Sequence, residues 1–276
     1  MRRSRLRASA LLLALAAWAV ASAACAYTLE EIRARGMLRV AVYEDFPPFD
    51  RAGHGIDVDV AQALAKALGV RLSLMPFPAS DESVEDDLRN MVWKGHYLGY
   101  GPADVMLHVP VAPELAKNKR VHIFGGYFRD SLALARSTKA LPRADTLEAL
   151  RGKKVAAETG GLGSIVLLDY GQGALRNDIV HLASGYEVAG AIRDGRSVAG
   201  LARRSELEAG LRGAEDVAIE AAPVAVVNRL SWVLGMAVTA ENAELQEALE
   251  AAMAALAKSG ELREIFAREG VTWREP

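Results

Sequence analysis

Leu38-Arg39-Val40-Ala41-Val42 leads into Phe46-Pro47-Pro48-Phe49, and then into Gly55-Ile56-Asp57-Val58-Asp59-Val60-Ala61. The first segment reads as a strand. Consecutive prolines fix φ and remove backbone donors, so 46–49 must be loop. From Ile56, apolar residues recur at Val60, Leu64 and Leu68, with Gly69 as the stop: a helix with one buried face. Val70 to Met75 is a second strand. Val84, Leu88, Met91 and Val92 mark a second helix, with Ser83 and Asp86 at capping-box spacing. Ala103 to Leu107 is a third strand. This βαβαβ rhythm predicts a mostly parallel sheet with helices on its faces.

The pattern repeats in kind downstream. Leu132 to Ala135 is strand-like, Asp145 is placed to cap a short helix ending at Leu150, and Lys154 to Ala157 is a strand. That strand runs into the glycine-rich turn Gly160-Gly161-Leu162-Gly163, and a helix starts near Ser164. A strand near 179–182, a helix over 187–193 and a strand over 198–202 follow. Two amphipathic helices close the chain, on Leu245, Leu249, Ala252 and Leu256, then Leu262, Ile265 and Phe266.

The 276 residues are 51% hydrophobic and 25% charged, with a net charge of −2. This excludes a disordered chain or a disulfide framework, and argues against binding nucleic acid by phosphate neutralisation. Arg2, Arg3, Arg5 and Arg7 precede an apolar run over Leu11 to Val20 and small residues up to Ala26. This is the pattern of a cleavable secretory signal over residues 1–26. Its removal takes away the only cysteine, Cys25, and so excludes thiol chemistry in the mature chain.

The strand and loop over 38–49, the helix entry over 55–61, Ala103-Asp104-Val105-Met106, Gly152-Lys153-Lys154-Val155 and the terminal helix pair resemble family 3 periplasmic solute-binding proteins. The resemblance implies a type II two-lobe α/β fold with a hinge crossed twice. Lobe one would comprise residues 27–135 plus 234–276, and lobe two residues 136–233, with a cleft between them. A longer connection, Arg89 to Pro110, resembles the J-type proteins associated with quinoprotein methanol dehydrogenases. That narrower likeness implies a periplasmic accessory protein that binds the dehydrogenase and aids its assembly, activation or cofactor loading. It implies no tightly bound cofactor and a transient contact with PQQ. The alternative is the substrate-binding component of an ABC importer.

Amino-acid binders of this family carry an arginine two residues after a proline that follows the third strand. Here Pro113-Glu114 is followed by Leu115. Gly161-Leu162 stands where the family places hydroxyl residues, and no acid lies between Ser197 and Ser205. The expected ligand is therefore something other than a standard amino acid. The expected cleft residues are Tyr43, Phe46, Phe49, His108, Glu158, Gly160, Gly161 and Ser164. Backbone N–H groups of the glycine-rich turn are an anion-binding candidate. Trp93, His96, Tyr97 and Tyr100 are the expected partner contacts, made together with the rim at Phe46 and Phe49.

His96 and His108 lack ligand-spaced partners, so no metal site is expected. Five acids among residues 81–87 read as the acid-rich start of a helix. No Gly-x-Ser-x-Gly, His-Glu-x-x-His or P-loop is present. Glu158, placed to project into the cleft, is the one candidate for an enzymatic group. Some members of this fold dehydrate cyclohexadienyl substrates, which is analogy of fold alone.

Overall fold

The computed structural model describes residues 27–79, 83–224 and 230–276. The expected signal segment, 1–26, and Asp81 and Glu82 of the acidic run lie outside the described residues.

Helix α1 (Leu29–Arg35) opens on a capping box: the Thr28 side chain accepts from Glu31 N–H, and Glu31 accepts from Thr28 N–H. Strand β1 (Met37–Tyr43) follows, then α2 (Ile56–Ala67), β2 (Arg71–Phe77) and α3 (Val84–Leu88). Ser83 Oγ caps α3 by accepting from Asp86 N–H, and a π turn over Arg89–Trp93 continues it. Strand β3 (Val105–Pro110) completes the first parallel group, with β1 between β2 and β3. It starts two residues later than the sequence pattern predicts.

Strand β4 (Val121–Ser137) is the departure from expectation. Only Leu132 to Ala135 is strand-like by pattern, yet the strand runs 17 residues. Its first part pairs antiparallel with β9 (Ser231–Thr239) through Ser131, and from Leu132 it pairs with β7 (Ala199–Arg203) and β8 (Val217–Ala221). One continuous strand thus links two sheets. The second group contains β5 (Val155–Glu158), α4 (Leu162–Asp169), β6 (Ile179–Leu182), α5 (Gly185–Arg193), and α6 (Arg204–Gly210) directly after β7. The strand order is β2-β1-β3-β9-β4-β7-β5-β6, with β8 also on β4. Asp145 does not cap the short helical turn over Leu147–Leu150, whose N-cap is Thr146.

Helices α7 (Ala243–Ser259) and α8 (Glu261–Arg268) return to the first lobe. Leu249, Met253, Ile265 and Phe266 join Val40, Val42, Val60 and Leu64 in one apolar cluster. Leu134, Val155, Leu167 and Leu201 form the core of the second lobe. The lobes also meet outside the strands, where the Arg51 guanidinium lies 4.6 Å over the Tyr186 ring and Arg212 Nη1 donates to Arg268 O at 2.9 Å. No helix among the described residues is long and apolar enough to cross a membrane.

Candidate functional site

The site begins with the turn that precedes α2. Gly55 sits at φ 137°, and a side chain there would meet Phe49 O at 2.5 Å and Pro48 O at 2.7 Å. Those carbonyls accept from Asp57 N–H and Ile56 N–H, each at 3.0 Å. The aromatic loop is thereby clasped onto the helix start, and Asp57 faces inward at 1% exposure.

A buried carboxylate must be matched by donors. Asp57 Oδ1 accepts from Tyr127 Oη at 2.7 Å, and Oδ2 lies 2.9 Å from His108 Nδ1. Burial, then the Asp57 carboxylate, push the Tyr127 phenol well above its ordinary range, so it stays a donor. His108 N–H also donates to Tyr127 Oη at 3.2 Å. His108 stands at φ 61°, a conformation a non-glycine residue adopts only where its surroundings hold it. Phe49 and Phe46 meet its ring edge-to-face at 4.3 and 5.0 Å. Beside it, Tyr43 Oη donates to Asp87 Oδ2 at 2.8 Å, and burial together with Asp87 raises the Tyr43 phenol.

Across from this wall lies a charged cluster at the end of β7. Arg203 Nη1 is 3.3 Å from Glu206 Oε1 and 3.5 Å from Glu158 Oε2, and its guanidinium lies 5.1 Å over the Phe46 ring. Burial works against the Arg203 charge, but Glu206, Glu158 and Asp130 outweigh it and raise its pKa. Asp130 is held by Ser205, whose Oγ donates to it at 2.6 Å. Burial pushes the Glu206 carboxyl up to about 7, against the pull of Arg203 and with help from Glu158 and Asp130. Its Oε2 is buried with no hydrogen-bond partner, a position that suits a neutral carboxyl better than an anion.

Unfolded glutamate loses its proton near about pH 4.3, whereas folded Glu206 keeps its proton to about 7. In that window the folded chain binds more protons, so stability from this group is complete below about pH 4.3 and is lost as pH rises through 7. Between pH 5 and 8 the wild-type chain should lose on the order of 2 kcal/mol more than Glu206→Gln. Urea unfolding of both chains at the two pH values measures this, and equal losses would contradict it.

Between the two walls is a cleft of ≈ 530 Å³, within the range of about 300–1,000 Å³ of small-molecule pockets. Its apolar lining includes Phe46, Leu132, Leu162, Leu201, Trp232 and Leu234, and its polar lining Tyr43, Glu44, Ser83, Asp87, His108, Glu158 and Arg203.

Of the cleft residues expected from sequence, Tyr43, Phe46, His108 and Glu158 line this space. Phe49 does not: it is fully buried behind Phe46, stacked on it at 5.6 Å. Gly160 and Gly161 form the turn and N-cap before α4, and Ser164 is buried within the helix. Leu162 and Gly163 reach the cleft instead. Gly163 allows α4 to approach β7, since a side chain there would meet Leu201 O at 2.3 Å. The Glu158 carboxylate lies beside the turn, 2.8 Å from where a Gly161 Cβ would stand. An anion at this helix end would have to displace it.

The four residues expected at a partner surface divide. Trp93 and Tyr100 pack against the cluster of Leu88, Met91 and Met106, with the Arg120 guanidinium 5.1 Å over the Trp93 ring. His96 is stacked on Tyr100 at 4.2 Å and meets Tyr97 at 4.3 Å, while Tyr97 is 88% exposed. None of the four lines the cleft with Phe46. Trp93, half-buried against this cluster, contributes to the packing of the first lobe, whereas Tyr97 stands out from it. Trp93→Ala should cost about 2 kcal/mol by cavity formation, and Tyr97→Ala less than about 0.5. Thermal unfolding distinguishes them, and equal melting temperatures would contradict the assignment.

Sequence reasoning missed Asp57, Tyr127, Arg203 and Glu206 as site residues. The acid-free stretch from Ser197 to Ser205 stops one position short of Glu206. Asp57 carried a signal in its place at the start of a helix whose other inward positions are apolar.

No family model matches the chain, and no curated relative matches it. Solved structures do. An ancestral cationic amino acid solute-binding protein matches at TM-score 0.68 and 21% identity, covering 88% of this chain and 99% of that one. A second structure of it, described as a precursor of cyclohexadienyl dehydratase, matches at TM-score 0.61 and 21% identity, with 88% and 98% covered. A mutant of ArgBP from T. maritima matches at TM-score 0.58 and 25% identity, covering 88% and 98%. The solute receptor for L-cysteine of Neisseria gonorrhoeae matches at TM-score 0.58 and 21% identity, covering 88% and 93%. Over nearly its whole described length, this chain has the mixed α/β, two-lobe fold of the solute-binding proteins.

Proposed function

We propose that the chain is the extracytoplasmic solute-binding component of an ABC importer, and that it captures a small solute between its lobes. The observation that carries this reading is the ≈ 530 Å³ cleft, walled by aromatic and charged side chains from both lobes. The basic and apolar pattern of residues 1–26 supports a periplasmic location. The solute is not a standard amino acid. Leu115 stands where the carboxylate-binding arginine is expected, and the one arginine among the described lining residues is already engaged by the acid side chains of Glu158 and Glu206. The dehydrogenase-accessory reading rests on the 89–110 sequence, where Trp93 and Tyr100 are engaged in packing. The cleft favours the importer reading.

A thermal-shift screen of the mature chain against a broad metabolite panel tests the proposal. A solute at a hundred times its Kd should add about 2.7 kcal/mol of stability and raise the melting temperature. A panel spanning amines, acids, sugars and alcohols that produces no shift would contradict it.

A further inference from the structure

We propose that the cleft selects an organic cation, an amine with an apolar body and no carboxylate. This rests on the solute-binding reading above and adds the chemical class of the solute. Three observations converge on it.

The first is charge. Arg203 is the one permanent cation among the described lining residues, and Glu206 and Glu158 face it at 3.3 and 3.5 Å, with Asp130 behind. A ligand carboxylate would have to compete with groups already in place. Leaving aside Asp87, which Tyr43 already engages, Glu44 and Glu158 still line the cleft. A carboxylate entering this space would face acids. An ammonium would find partners for its charge.

The second is the aromatic lining. Tyr43, Phe46 and Trp232 line the same space. Aromatic faces attract cations, most strongly when water is excluded. The protein already places a guanidinium over one of them, Arg203 over Phe46 at 5.1 Å.

The third is His108. Its Nδ1 is turned to Asp57 at 2.9 Å, and Asp57 is itself fixed by Tyr127. That leaves Nε2 as the ring nitrogen for a ligand. With the proton on Nδ1, Nε2 is an acceptor, and the group it suits is an N–H donor. Asp57 and Tyr127 are positioning residues in this scheme. Around these polar points, Leu132, Leu162, Leu201 and Leu234 supply an apolar surround for the rest of the molecule.

The experiment compares amines with their carboxylated parents. Phenethylamine against L-phenylalanine, and agmatine against L-arginine, are titrated calorimetrically into the mature wild-type chain and into Glu158→Gln. The Glu158 side chain is partly exposed, and Arg203 keeps Glu206 when it is changed, so the variant should fold; its melting temperature verifies this. In every pair that binds, the amine should bind at least tenfold more tightly than the amino acid. Glu158→Gln should weaken that amine at least fivefold at unchanged melting temperature.

Three results overturn the proposal: an amino acid bound as tightly as its amine, amine affinity untouched by Glu158→Gln, or no binding of either amine. If a neutral or anionic solute from the metabolite panel binds in place of the amines, the solute-binding reading survives alone; if an amino acid binds as tightly as its amine, solute capture survives without the exclusion of amino acids. If no solute of any class binds, both fall.

Discussion

Asp57→Ala should lower unfolding stability by about 3–4 kcal/mol, among the larger effects a single substitution produces. Asp57, on α2, is 1% exposed and satisfies two buried groups from β4 and β3, the Tyr127 hydroxyl and His108 Nδ1. Alanine removes both acceptor oxygens and leaves both donors buried without partners, each at a desolvation cost of about 1–3 kcal/mol. It also releases His108, whose φ of 61° that network helps to hold. Asp57→Asn separates charge from hydrogen bonding. Its amide oxygen still accepts from Tyr127 and its NH₂ meets His108 in the other tautomer, so the loss should be about half as large. Chemical denaturation of the three chains gives the comparison. A loss below about 1 kcal/mol in Asp57→Ala would show that the network does not organise the cleft wall.

Gly55→Ala should be comparably damaging, by about 3 kcal/mol or more, with a melting temperature lower by roughly 10 °C for a chain of this size. Two penalties coincide. At φ 137°, alanine is in a region of backbone space that is essentially glycine's. Its Cβ would also lie 2.5 and 2.7 Å from the carbonyl oxygens of Phe49 and Pro48, which are backbone atoms and cannot rotate away. Relief requires the 46–49 loop to lift from the start of α2. That breaks the bonds from Ile56 N–H and Asp57 N–H and displaces Phe46 and Asp57 together. Differential scanning calorimetry checks the stability, and a melting temperature within 2 °C of wild type would contradict the clasp. Gly36→Ala is the control. That glycine is also left-handed, but its Cβ would meet nothing within 4 Å, so it carries the backbone penalty alone.

Much of the architecture was legible because it follows short-range rules. The apolar four-residue spacing of Ile56, Val60 and Leu64 set α2, and the Ser83 cap set α3. What escaped was long-range. Strand β4 runs through Gly125-Gly126, where its register against β9 shifts between Phe124 and Phe128. Paired glycines read as a break in a strand pattern, although here the strand bends and continues through them. Strands β8 and β9 were missed because pairing with β4 places them in the sheet, and no local period announces it.

The site divided along the same line. Tyr43 at the end of β1, Phe46 in the loop after it and His108 within β3 were legible as polar and aromatic residues of the first lobe. The Asp57–His108 contact spans 51 residues and the Tyr127–Asp57 contact 70, separations that no spacing rule connects. Glu158 and Arg203 meet because β5 and β7 are parallel neighbours.

The most direct test of solute capture between the lobes is a calorimetric titration of wild type and Leu162→Trp with the best solute from the thermal screen. Leu162 is partly exposed and lines the cleft from the first turn of α4, so a larger side chain there fills the ligand's space without entering the core. The expected result is one site per wild-type chain, with affinity reduced at least tenfold in Leu162→Trp at an unchanged melting temperature. Equal affinity in the two chains would place the solute elsewhere and contradict the account.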